Sequence, residues 1–395
     1  MGALDGIRVA DLGLLVQGPQ AGLMLADFGA DVIKVELPNM GDQARWIFPS
    51  GDIRKAPYFH GVNRNKRSVT LDLRRPGGAE AFKKLAAAVD VVISNFKPGT
   101  MEAWGLGYDD LAPLNPGLVY AAGSAFGPIG PDAEREGADI AGQAAGGLMM
   151  TTGMDGGDPT PVGVTIADHV ASQNMTAGIL AALIARGRTG RGQRVDVSLV
   201  GGQIFAQAAE YTSYFLTGEV PGRSNKGHPL LHAIYGIFRT SDGWIAMVGV
   251  PPAVKEKFYA VLGRPDLNDD PRFANMFMDL PTKQTLFAEL GPSFLTRTTA
   301  EWLEIMKAAG QRVAPVRSYD QVASDPQVLL NGYIVPVEHP EFGSINMVGS
   351  PVCFSDTPAT PSAVAPELGQ HTEEVLLELG YGWDDIERLR AAGAY

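Results

Sequence analysis

One acid stands apart in the stretch from Pro161 to Leu199. Asp168 follows an extended, apolar-leaning run, and no Asp, Glu, Lys or Arg comes after it until Arg186. A carboxylate in that setting has two uses. It can cap a helix by accepting hydrogen bonds from the first free N–H groups. It can also sit at the edge of an apolar pocket and act as nucleophile or base. Taken alone the residue favours the cap, so the rest of the chain must decide.

Other residues carry possible chemistry. Asn63 to Arg75 places five cations around a short strand at Ser68–Leu73. They read as a protected, solvated edge or as an anion site for phosphate. In an acidic protein a cluster this dense favours the anion site. Asn95, Phe96 and Lys97 open a loop after the apolar run Val89–Ser94, at the strand end where open α/β sheets place ligands. His169 adjoins Asp168, but sequence neighbours face different sides of a helix, so a structural or supporting role is expected. Arg45, Arg54, Arg135 and His232 are of a type that could meet a carboxylate, yet nothing in the sequence places them. No metal is expected: the six histidines lack ligand spacing, and the single Cys353 leaves no multi-cysteine site and no intrachain disulfide. The P-loop, H-E-x-x-H and G-x-S-x-G motifs are absent.

The elements that must position these residues follow from periodicity. Val170, Met175, Ile179, Leu180, Leu183 and Ile184 recur at helical spacing and predict a largely buried helix, ended by the Gly/Arg run Arg186–Arg194. Upstream, strands are expected at Ile7–Leu12, Asp31–Glu36, Ser68–Leu73, Val89–Ser94 and Gly117–Gly123. Helices are expected at Gln20–Gly29, Pro76–Ala88, Tyr108–Leu114 and Gly137–Met150. The opening is β-loop-α-β, as in nucleotide-binding folds, but the loop reads GLLVQGPQAG rather than G-x-G-x-x-G, so NAD is not expected. Helical character continues from Leu199 to about Leu216, and Thr217–His232 reads as a linker. A hairpin at Ile234–Arg239 and Trp244–Val250, then helices at Ala253–Leu262, Thr282–Leu290 and Ala300–Ala309, indicate a smaller α+β domain. Val313–Val316 and Tyr319–Ala323 lead out of it. Val335–Pro366 is Pro-rich and extended. Helices at Thr372–Leu379, capped by Thr372, and at Asp384–Ala391 close the chain.

At 395 residues the chain suits two domains, or one with an insertion. Its formal net charge of −12 argues against nucleic acid and against an anionic membrane surface. No membrane span and no signal peptide is expected, and one cysteine suits the reducing cytoplasm.

Six segments, in this order, resemble the class III coenzyme A-transferases, the family of formyl-CoA:oxalate and carnitine CoA-transferases. They are Leu4–Val9, Ala26–Glu36, Asn65–Leu73, Asn95–Gly99, Thr189–Gln193 and Leu368–Thr372. The resemblance implies an α/β fold with a Rossmann-like large domain built from both chain ends. Residues 1–216 and 326–395 would form it, with a linker at 217–232 and a small domain at 233–325. It also implies an interlocked homodimer, and coenzyme A and acyl-CoA as substrates with no permanently bound cofactor. The family's catalytic aspartate falls on Asp168. Leu71 and Arg74 match the strand and cation that hold the nucleotide, and Asn95, Phe96 and Lys97 the loop beneath the pantetheine. Val16 stands where formyl-CoA transferase has an active-site glutamine, with Gln17 one place along, and Asp139 matches an acidic position near the catalytic acid. Two departures matter. Ala138 replaces a tyrosine of formyl-CoA transferase, and no glycine run is visible in Thr217–His232, so the oxalate and formate pair is not carried over. Racemases of the same scaffold are the alternative. Their histidine position is Ala138 here and their glutamate falls near Pro251–Pro252, so a second proton-transfer group is lacking and transfer is the better reading. A CoA-binding protein without catalysis is a third possibility.

Overall fold

In the computed structural model, residues 1–275, 278–359 and 363–395 are described. The apolar segments of the first half assemble into one parallel sheet. Its strands are β1 (Arg8–Asp11), β2 (Asp31–Glu36), β3 (Lys66–Thr70), β4 (Val91–Ser94), β5 (Val119–Ser124) and β6 (Arg194–Ser198). Their order is β3-β2-β1-β4-β5-β6, and every neighbouring pair is parallel. This is the doubly wound Rossmann order, with its reversal between β1 and β4. Val91, Val92 and Ile93 have no exposed surface, as expected for central strands covered on both faces.

Helices cover those faces. α1 (Gln17–Asp27) begins three residues earlier than its apolar pattern suggests, because Pro19 is tolerated within a first turn. α2 (Pro76–Ala88) has Pro76 at its first position, as predicted. The helix expected over Gly137–Met150 is two pieces. α3 (Asp139–Ala145) stops at Gly146, and Gly147 takes φ +83°, a left-handed value that breaks the helix.

α4 (Ile166–Thr189) is the long helix of the central stretch, closed by left-handed Gly190 with Arg186 and Arg188 in its last turn. It is buried along one stripe through Ala167, Ala171, Met175, Ile179 and Ala182, while Ile184 is exposed. The expectation of a largely buried helix is therefore corrected. The stripe meets Val91, Ile93, Val119 and Ala121 of the sheet, and its small residues let the helix lie close. The sequence pattern assigned no element to Arg194–Ser198, because a charged residue occupies every second place on the solvent side. β3 starts two residues before its predicted position, because Lys66, a charged residue, is buried inside the strand.

By contacts the chain forms two compact units. The first comprises Met1–Gly146, Gly163–Ala206 and Asp325–Tyr395, and the second Gly147–Val162 and Gln207–Ser324. α5 (Leu199–Ala206) ends the central part of the first unit, and α6 (Ala208–Thr217) lies in the second. In the second unit, β7 (Tyr235–Arg239), β8 (Trp244–Val248) and β9 (Val313–Pro315) form an antiparallel sheet. The segment read as a way out is thus the third strand. Around it lie α7 (Lys255–Val261), α8 (Leu280–Phe294) and α9 (Thr299–Ala308), the last opened by a Thr298/Glu301 capping box.

In the first unit the start of the extended, Pro-rich tract is paired. Residues Ile334–His339 (β10) and Gly343–Val348 (β11) pair as a hairpin, with Gly343 at φ +67° after the turn. The closing helices are α10 (Thr372–Glu378) and α11 (Trp383–Ala391). Thr372 is not the cap of α10, which is His371. The Thr372 hydroxyl instead accepts the Thr70 N–H at 3.0 Å and donates to the Gly369 carbonyl at 2.9 Å, tying the chain's end to β3.

The turn into β6 is steric. A Cβ on Gly192 would lie 1.9 Å from the Leu118 carbonyl oxygen. Gly192→Ala is expected to lower stability by about 1–3 kcal/mol through forced backbone displacement, read as a lower urea midpoint.

Candidate active site

The first turn of α4 decides what Asp168 does. Asp168 is the third residue of the helix, after a Thr165 cap whose side chain bonds nothing there. The N-cap reading is thereby corrected. Two of the first-turn donors left free by the helix are taken by Asp139 at the start of α3. Its Oδ1 accepts the Ala167 N–H at 2.7 Å and the Asp168 N–H at 3.3 Å, and its Oδ2 accepts the Gln143 amide at 2.6 Å. Asp139 is thus turned inward, a remote cap for α4, rather than toward a ligand. No described residue donates a hydrogen bond to the Asp168 carboxylate, which is left for the cavity it faces. Burial, and then the charge of Asp139, push its pKa up from 3.8 to about 7.

That cavity has a volume of about 310 Å³, and Asp168 lines it with Leu14, Leu15, Gln17, Asn95, Phe96 and Lys97. Arg135, Glu136 and Ala138 also line it. Asp168 and the loop after β4 are therefore brought together, at the carboxyl ends of the strands beside the sheet's switch point. The other expected contacts are not. Val16 is buried and faces a separate cavity of about 530 Å³, while its neighbour Gln17 reaches the Asp168 side. Leu71 lies in the core beneath the sheet. Arg74 is exposed and paired with Asp72 at 2.8 Å.

The loop Gly13–Val16 forms one wall of the cavity and is held at every step. Asp11, at the end of β1, accepts the Gly13 N–H at 2.8 Å, and Lys34 donates to the Gly13 carbonyl. Asn95 grips Leu14 twice, accepting its N–H at 2.7 Å and donating to its carbonyl at 3.0 Å. Asp42 accepts the Leu15 N–H at 2.9 Å. Leu15 takes φ +61°, a left-handed conformation that costs a branched residue about 1–3 kcal/mol and persists only because these bonds impose it. Behind the loop, Asp11 pairs with Lys66 and Asp42 with Lys34, both at 2.7 Å, and all four side chains are fully buried. Burial alone would raise the Asp11 carboxyl. Lys66 and Lys34 outweigh it and hold the carboxyl below its ordinary range. Burial pushes the Lys66 ammonium down to about 8 against the pull of Asp11.

Three of the five cations of the basic cluster are structural, which narrows the anion-site reading to Arg74 and Arg75. Arg64 pairs with buried Asp27, Lys66 with Asp11, and Arg67 with Asp31, Glu374 and Glu378. Arg74 and Arg75 also pair, both with Asp72, but at the surface. Of the cations left unplaced by sequence, Arg45 forms a bidentate pair with Glu36 at 2.8 and 2.9 Å, and Arg54 pairs with Asp52. His232 bonds the Pro229 carbonyl at 2.7 Å. Only Arg135 enters the Asp168 cavity. No sequence signal marks it, since an arginine near two acids in a Gly/Pro-rich loop looks like ordinary solvated surface. His169 bonds Gln20 and faces the other cavity, in keeping with a supporting role, and burial holds its pKa below the usual imidazole value. Among the described residues no cluster of His, Cys, Asp or Glu could hold a metal, and no helix is long and apolar enough to cross a membrane.

Comparison with known proteins shows the family. Residues 4–372 match the family model for CoA-transferase family III. The succinyl-CoA:glutarate CoA-transferase of Mus musculus is 33% identical over 100% of this chain and 90% of its own. The succinyl-CoA–D-citramalate CoA-transferase of Chloroflexus aurantiacus is 35% identical over 98% of this chain and 97% of its own. Among solved structures, a CaiB/BaiF family protein from Brucella suis has a TM-score of 0.85 at 34% identity, covering 96% of this chain and 100% of that one.

A raised acid leaves a signature in stability. Asp168 binds its proton more tightly in the folded chain than in the unfolded one. Its contribution is fully present below about pH 4 and is lost as pH rises through about 7. Asp168→Asn is therefore expected to match the wild type near pH 4 and to exceed it by about 2–4 kcal/mol at pH 8, read from urea midpoints across pH. Asp139→Asn, which removes the neighbouring charge and keeps a capping oxygen, is expected to narrow that gap.

Proposed function

From the premise that this chain belongs to CoA-transferase family III, we propose that it moves coenzyme A from an acyl-CoA to a free carboxylic acid through covalent intermediates on Asp168. The observation that carries the reading is the free, half-dehydrated Asp168 carboxylate at the cavity wall. A carboxylate is a weak nucleophile in water, and a dry wall strips the hydration that makes it so. The steps balance without ATP. An Asp168 oxygen attacks the thioester carbonyl, the C–S bond breaks, and the CoA thiolate leaves a mixed anhydride. The thiolate attacks the Asp168 carbonyl and releases the donor acid, giving an aspartyl-CoA thioester. The acceptor carboxylate attacks that thioester, freeing the thiolate and forming a second anhydride. The thiolate then takes the new acyl group, and Asp168 is restored.

The chain's own residues supply position. Asp139 fixes the turn that aims Asp168, and the Asn95–Leu14 clamp fixes the facing wall. Phe96 and Lys97 line the same cavity as Asp168, which supports the pantetheine contact that the resemblance implies for them. Holding the thioester at near-attack distance is the larger share of the catalysis available here. The relatives named above act on succinyl-CoA with glutarate or D-citramalate. Dicarboxylic acids are accordingly the substrate class we assign to this chain. Exposed Phe215, Leu216 and Val220 in the second unit support the homodimer that the resemblance implies.

Mass spectra of the intact protein with succinyl-CoA and no acceptor, after borohydride or hydroxylamine quenching, are expected to show modification on the peptide containing Asp168. Asp168→Asn is expected to lose the adduct and to lower transfer by about 10³-fold or more. Adduct formation in the wild type should climb about tenfold per pH unit below 7 and level off above it, because only the ionised carboxylate attacks. An unmodified Asp168 together with solvent deuterium entering the α-carbon of a 2-methylacyl-CoA would replace transfer with racemisation.

A further inference from the structure

Among the described residues, Arg135 is the one arginine lining the Asp168 cavity, and its surroundings are those of a ligand-binding group rather than a structural one. Its ion pair, with Asp132, is long at 3.6 Å, and both side chains are more than half exposed. Its guanidinium is nevertheless placed, lying over the Phe126 ring at 4.9 Å. Phe126 packs on Ala125, Ala167, Ala171 and Leu199, so the platform rests on the first turns of the helix that carries Asp168. The ring contact thus seats Arg135 on residues that pack against the first turns of α4, while more than half of its side chain stays exposed.

The charges of the cavity point to its use. Asp168 and Glu136 are the acids on the wall, and Lys97 and Arg135 the cations. A dianion entering here meets repulsion from two carboxylates unless a cation compensates at the end remote from the reaction. Lys97 also lines a groove at the strand ends with Ser94, Tyr120 and Arg194, on the side of the loop after β4. Arg135 lines the cavity with Glu136 and Ala138 from the loop before α3, and its planar fork matches a carboxylate through two parallel hydrogen bonds. We infer that Arg135 binds the distal carboxylate of a dicarboxylic substrate whose proximal carboxyl reacts at Asp168, and so sets the preference for dicarboxylic over monocarboxylic acids. This rests on the transfer reading above.

The test compares glutarate with pentanoate, a chain of equal length lacking the second carboxylate. Transfer from succinyl-CoA is read as product acyl-CoA for the wild type, Arg135→Gln and Arg135→Lys. The wild type is expected to favour glutarate. Arg135→Gln should lower the glutarate-to-pentanoate ratio of kcat/KM by roughly 10- to 100-fold, mainly through KM, the loss expected for a charge-assisted hydrogen-bonded pair. Arg135→Lys should restore part of the ratio, since it returns the charge without the fork. An unchanged urea midpoint reports that Arg135→Gln is folded. An unchanged ratio, an equal fall for both acids, or a wild type without preference for glutarate overturns the inference. The ratio needs no trapped intermediate, so an unmodified Asp168 with the ratio still dependent on Arg135 would overturn the covalent mechanism and leave this inference standing.

Discussion

Two lysines and two aspartates with no access to water hold the loop on which the site depends. Asp11–Lys66 and Asp42–Lys34 lie directly behind Gly13–Val16, and three of the four side chains also bond that loop's backbone. Buried ion pairs of this kind add little net stability against an apolar replacement, because desolvation offsets their attraction. Their value here is geometric. Each charge is compensated by its partner and by backbone groups at fixed distances, so the loop has one conformation in which all are satisfied. The left-handed Leu15 is the visible strain that this requirement imposes.

The same logic runs through the other wall. α4 needs acceptors for its first N–H groups, and its own cap residue supplies none. Asp139 meets that need from α3, which frees Asp168 from the role a first-turn acid usually plays. The two carboxylates thereby divide the work. One is spent on hydrogen bonds and fixes the helix. The other has no bonding partner among the described residues, feels the first as a like charge, and titrates near neutrality. A carboxylate in that setting is partly ionised and poorly hydrated, the state that functional acids are tuned to.

Glycines and small side chains make these approaches possible. A Cβ on Gly22 would fall 2.8 Å from Asp11, and one on Gly123 2.6 Å from Gln17. α1 and α4 can come close to the sheet and to the charged cluster only where side chains are missing. The cavity is thus a consequence of close packing around it, and the arginine that enters it comes from a surface loop under less constraint.

By itself the sequence determined the alternation of strands and helices, the sharp isolation of Asp168 and the order of short segments that places the chain in its family. Those features depend on local periodicity and on motifs that survive in one dimension. Tertiary structure alone decided what the charges do. The run of cations around Ser68 looks like an anion site until Asp11, Asp27, Asp31 and the acids of α10 come against it from distant parts of the chain. Asp139 looks like a ligand contact until α3 meets α4. Lys66 looks like a strand boundary until its partners bury it, and β6 is invisible until β5 offers an edge. In each case the deciding partner is dozens to hundreds of residues away, and electrostatic energy depends on distance in space, which the order of residues does not record.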